Sequence, residues 1–98
     1  MGVTIARVEK TYKEKLKVSF KDCENIIKFL EQLNSDEYQL GFREFGDYFF
    51  EFVSYEFNRY CEETGLDNIP IEIKWFYETI TKPANLEEDE FMEIEWWG

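Results

Sequence analysis

Apolar positions along this chain change period several times, and each change marks an element. Val3 and Ile5 open an alternation that Leu16, Val18 and Phe20 resume after a Lys-Glu-Lys turn region, so residues 1–21 read as a β-hairpin. Its bases fall mostly on the solvent side, which discourages edge-to-edge pairing. The period then lengthens. Cys23, Ile26, Ile27, Leu30 and Leu33 form one helical stripe, with Ser19 or Asp22 placed to cap its start and Asn34-Ser35-Asp36 to end it. Tyr38, Leu40 and Phe42 alternate again, which makes 37–45 an expected strand. Gly46-Asp47 breaks it.

The next stretch holds a conflict. Phe49, Phe52, Val53, Phe57, Tyr60 and Cys61 recur at helical spacing and stop before Gly65, the expected left-handed residue after a helix. Phe49 to Phe57 is nevertheless dense in residues that prefer strands. Weighting period and end signals above propensity gives a helix over 47–64. Farther on, Ile69, Ile71, Ile73 and Trp75 alternate with Pro70, Glu72 and Lys74 and read as a strand. A helix starting at Pro70 and carrying Ile73, Phe76, Tyr77 and Ile80 also fits, so 69–81 has two readings, strand first. Residues 82–85 form a turn, and Met92, Ile94 and Trp96 a final strand. The expectation is one α+β domain over 1–98: an N-terminal β-hairpin plus further antiparallel strands packed against two helices, about 21–33 and 47–64.

Composition adds a means of stability. Ninety-eight residues bury only roughly 60–65% of the unfolded surface. Aromatic residues at 19% supply large buried area per side chain and partly offset the small size. Cys23 and Cys61 lie far apart with no CxxC spacing. The opening Met1-Gly2-Val3-Thr4 lacks the basic start and apolar run of a signal peptide. Free thiols in a cytoplasmic setting are expected (host cytoplasm if the chain is phage-encoded).

The absence of histidine removes Ser-His-Asp and Cys-His nucleophile systems and the usual zinc ligands. Scattered glycines form no phosphate cradle. The acids show no pair singled out for glycoside hydrolysis, and Asp89, Glu90 and Glu93 lack the glycine turn of a calcium loop. The expectation is a protein that is not an enzyme and takes no cofactor or metal.

Charge points to partners. Net charge is −11, and it is unevenly placed: residues 22–98 carry twenty acids and five bases, while six bases crowd the first 21. Such a field repels nucleic acid and anionic membrane and favours a basic protein surface. Carboxylates fixed on a folded scaffold can imitate a phosphate line and occupy a Lys- and Arg-lined site. The residues expected to do so are Glu51, Tyr55, Glu62, Glu63, Asp67, Glu72, Glu78, Glu87, Glu88, Asp89, Glu90, Glu93, Glu95 and Trp97, with Trp96 a further aromatic contact.

One segment carries a resemblance. Arg59-Tyr60-Cys61-Glu62-Glu63-Thr64-Gly65, then Ile69-Pro70 and Trp75-Phe76-Tyr77, resembles part of the ArdA-type antirestriction proteins, and Asn34-Ser35-Asp36-Glu37-Tyr38 is similar as well. Together they cover about a quarter of the chain. Size and acidity also resemble small anti-CRISPR proteins. The resemblance implies an acidic DNA mimic that inhibits a nuclease or defence complex of a phage's host; it assigns no residue a role. The alternatives are an immunity protein against a nuclease toxin and a non-inhibitory interaction module, and a homodimer is compatible with each.

Overall fold

The computed structural model describes residues 16–97, with side chains from 24 to 96. The chain runs β1 (Leu16–Ser19), α1 (Phe20–Leu33), β2 (Arg43–Glu44), β3 (Phe49–Phe52), α2 (Ser54–Thr64), a 3-10 turn (Leu66–Asn68), α3 (Ile71–Phe76), a π-helical turn (Tyr77–Thr81), α4 (Lys82–Ala84) and β4 (Met92–Trp97). The fold is α+β. Four strands form one sheet in the order β1-β4-β3-β2.

Helix α1 matches its expected stripe. Ile26, Ile27 and Leu30 are buried, and the backbone stops where Asn34 was expected to stop it. There the Asn34 N–H donates to the Leu30 carbonyl (3.0 Å), and its side-chain Oδ1 accepts the Leu40 N–H (3.0 Å). One residue thus ends the helix and turns the chain toward the sheet.

Three expectations need correction. Of the expected strand 37–45, Arg43–Glu44 is strand, pairing with β3 across a turn that holds Gly46. Of the expected helix 47–64, Phe49–Phe52 is an inner strand and the helix starts at Ser54. The sheet needs a strand between β2 and β4, and Phe-Phe-Glu-Phe offers strand propensity with Phe50 and Phe52 both sent fully into the core. The end signal was sound: Gly65 follows α2 with φ 96° and donates its N–H to the Cys61 carbonyl. Residues 71–81 are helical, as in the second of the two readings of 69–81, with Pro70 immediately before α3.

The first arm of the expected hairpin lies outside the described residues. Its second arm corresponds to β1, which pairs with β4 in parallel, not antiparallel, from Leu16 opposite Ile94 to Ser19 opposite Trp97. β4 runs antiparallel to β3 on its other side. One core joins sheet and helices: Phe50, Phe52, Met92 and Ile94 meet Ile26 and Leu30 of α1, Phe57 and Cys61 of α2, and Ile73, Phe76 and Tyr77. Phe52, Phe57 and Phe76 pack with ring centroids 5.5–6.1 Å apart, each touching the other two.

Proline explains the π-helical turn. Pro83 has no N–H for the Thr79 carbonyl, and its ring would crowd that carbonyl in a regular helix. A wider turn over Tyr77–Thr81 relieves the conflict. It carries Thr81 into the core, where the Thr81 hydroxyl donates to Asn58 Oδ1 (2.5 Å) and Asn58 Nδ2 donates to the Thr81 carbonyl (3.2 Å).

Candidate functional site

Two contacts align α2 with the π-helical turn: Asn58 meets Thr81, and Tyr77 donates from its hydroxyl to Glu62 Oε2 at 2.9 Å. Sequence positions rise along one element as they fall along the other, so the two run antiparallel. Glu63 and Asp67 therefore lie toward the start of α3, which holds Glu72. Tyr55 lies toward the far end, where α4 leads into the loop that carries Glu87, Glu88 and Asp89. Gly41 confirms this end of the layer: with φ 59° it approaches the Phe91 ring so closely that an added Cβ would stand 3.2 Å from it and 4.0 Å from Val53.

Ten of the fourteen expected residues thus belong to one helical layer and its adjoining loop: Tyr55, Glu62, Glu63, Asp67, Glu72, Glu78, Glu87, Glu88, Asp89 and Glu90. Most are exposed. Glu72 is half-buried and accepts from Asn25 Nδ2 at 2.8 Å. Glu90 is also half-buried, and its carboxylate accepts the Glu87 backbone N–H at 2.9 Å, which holds the loop in a tight turn with Glu88 and Asp89 outermost.

Of the remaining four, Glu51, Glu93 and Glu95 lie on the opposite face of the sheet, so the expected residues do not make one surface. Glu51, placed by sequence on an exposed helix face, sits on β3 directly opposite Glu93 of β4, and both are buried. Arg43 of β2 donates to Glu51 Oε2 at 2.8 Å, while Glu51 Oε1 has no hydrogen-bond partner among the described residues. Glu95 is half-buried opposite Phe49. The Trp97 backbone completes β4 opposite Ser19. Trp96 is buried, with its ring 5.3 Å from Tyr48, and offers no exposed contact.

Arg59 organises the electrostatics at one end of the layer. Its guanidinium bonds Glu56 (2.6 Å), Glu63 (3.2 Å) and the Glu37 carbonyl (2.7 Å), and lies 4.5 Å from the Tyr38 ring centre. Tyr38 donates to Glu63 at 2.6 Å. That hydrogen bond, with burial, raises the Tyr38 hydroxyl to about 12 and, together with Arg59, holds Glu63 below its ordinary range. Burial and the bond to Glu62 likewise raise Tyr77 to about 12, and burial raises the Cys61 thiol to about 12. Cys61 is therefore a protonated core thiol at neutral pH.

Among the described residues, Asp67, Glu78, Glu88 and Asp89 are exposed and lie in no ion pair. Among the same residues, no three Asp, Glu or Cys side chains gather in a way that could hold a metal ion, and no helix is long and apolar enough to cross a membrane.

Sequence reasoning missed two groups. Glu24 and Glu31 of α1 and Asp36 and Glu37 after it are exposed acids too, legible as the polar positions outside the apolar stripe. Ile71 and Trp75 are exposed by 79% and 39%. Their signal lay in the helical reading of 69–81, which leaves both off the core face. No family model matches the chain, and neither a curated protein nor a solved structure matches it.

Proposed function

We propose that this protein is a binding protein that imitates nucleic acid, occupying the basic site of a nuclease or defence complex and thereby inhibiting it. The observation that carries the reading is the excess of acids over bases in the helical layer. Residues 54–90 hold ten acids against three bases, net −7. Of the three bases, Arg59 is taken by Glu56 and Glu63, and Lys82 lies 5.9 Å from the Tyr77 ring centre. The eleven residues of α2 span about 16 Å. A nucleic-acid strand carries one charge per roughly 3.4 Å, or about five over that length. Over that length α2 itself carries Glu56, Glu62 and Glu63 against Arg59, and the elements beside it add the rest of the excess on a folded support, where little ordering entropy remains to be lost on binding. An ordinary solvated surface intersperses acids and bases and would not give this excess.

Inhibition is read in cleavage assays with a guide-loaded CRISPR effector, a type I restriction enzyme and a bacterial DNase toxin domain as targets. The account expects one of them to lose DNA cleavage in the presence of this protein, with excess DNA restoring it. Reversing Asp67, Glu78, Glu88 and Asp89 to Lys together should weaken inhibition at least about a hundredfold, since each reversal at a charged interface costs roughly threefold to tenfold. Inhibition unchanged in that variant contradicts the reading. Protection against the toxin alone assigns the protein to immunity.

A further inference from the structure

The alternating run Ile69, Ile71, Ile73, Trp75 is only half used by the core. Ile69 is buried just before Pro70, and the helix that follows buries Ile73 and turns Ile71 and Trp75 outward. Being four residues apart on α3, they are neighbours on its surface, about 5–6 Å between Cβ atoms. Two large apolar side chains side by side form a patch, whereas exposed apolar residues scattered singly need no explanation. Trp75 also has Glu72 three positions before it and Glu78 three positions after it, so carboxylates stand at both ends of the patch. The helix widens to a π turn immediately beyond, at Tyr77. Single π turns inside helices are frequent at functional sites.

We propose that Ile71 and Trp75 are the apolar anchor of the docking surface, and that the partner presents an apolar side chain ringed by Lys and Arg. This rests on the reading of the helical layer as an acidic binding surface, and it adds the part of the contact that salt does not screen. Trp is among the residues that dominate binding energy when charged neighbours exclude water around it. Charge decides against a second copy as occupant: a two-fold contact centred on Trp75 would bring Glu72 and Glu78 against their images in a chain of net charge −11.

The test uses two probes and two proteins. One probe is a peptide of Leu and Lys patterned as an amphipathic helix; the other is a Lys-only peptide of equal charge. Both are titrated into the wild type and into Ile71→Ser/Trp75→Ser by calorimetry and amide NMR, at about 0.05 M and about 0.5 M NaCl. Exposure of both residues predicts that the variant keeps its fold, which its amide spectrum reports. The proposal expects the Leu/Lys peptide to bind more tightly, to shift amides around 71, 75 and 78, and to keep measurable affinity at high salt. The variant should lose about tenfold or more for that peptide and nothing for the Lys-only one. Equal binding of both peptides to the wild type overturns the anchor and leaves the acidic surface standing. Failure of both to bind at low salt overturns both ideas. Dimerisation of the wild type that the variant abolishes assigns the patch to self-association and also overturns the proposal.

Discussion

Glu51 shows how much one carboxylate's position matters in a chain with so many. It is buried, and among the described residues it is paired with Arg43 and has Oε1 unpartnered. Removing the cation leaves a buried charge uncompensated. Arg43→Ala should therefore lower unfolding stability by about 1–3 kcal/mol in urea titration, below the value for a fully buried pair because water reaches the Arg43 side chain. Adding Glu51→Leu should recover most of that loss; a double variant no more stable than Arg43→Ala contradicts the assignment. No residue pattern announced this burial, because Glu51 fits the polar face of a helix as readily as the second face of a strand. Tyr38 and Tyr77 give a pH signature. Both are raised to about 12 in the fold from an ordinary value of 10.0, so their bonds to Glu63 and Glu62 stabilise fully below pH 10. That contribution is lost as pH rises through about 12. Urea midpoints should fall between pH 10 and 12, and fall less in Tyr38→Phe/Tyr77→Phe. An equal decline in that variant would place the alkaline instability elsewhere.

At the level of elements, legibility followed how many signals agreed. α1 had period, a polar stop and an apolar stripe in accord, and it forms where the pattern puts it. Around Phe49 the spacing said helix and the residue types said strand. A sheet that required an inner strand settled it, a tertiary demand invisible in a local window. The run at 69–81 had two complete local readings, and Pro70 as a helix-starting residue proved the informative one. The π turn was not readable at all, although Pro83 is its evident cause. The Asn58–Thr81 pair holds it in place, so Thr81→Val, which keeps the shape and deletes the hydroxyl, leaves Asn58 Oδ1 short of a donor. Stability should drop by about 1–2 kcal/mol. Amide shifts should spread from residue 81 toward 77, and a change confined to residue 81 would mean that the turn stands without the clamp.

Over the whole molecule, acidity was legible and its arrangement only partly so. The sequence placed carboxylates on α2 and after it, and the fold gathers ten of fourteen expected residues along one helical layer. Glu51 escaped because strand assignment decides face and the spacing around Phe49 says helix; Glu93 and Glu95 sit on the strand that alternation predicts, on the sheet face away from the helical layer. What unites the layer is excess: more carboxylates than the nearby bases can neutralise, held on elements whose apolar sides are fixed in an aromatic core.

The dependence of affinity on salt tests that claim most directly. Dissociation constants for a target nuclease would be measured across about 0.05 to 0.5 M NaCl beside those of a DNA oligonucleotide for the same nuclease. The account predicts a steep linear fall of log affinity with log salt, parallel to that of DNA, with the two ligands excluding one another. An affinity that barely changes over that range, or simultaneous binding of both ligands, contradicts it.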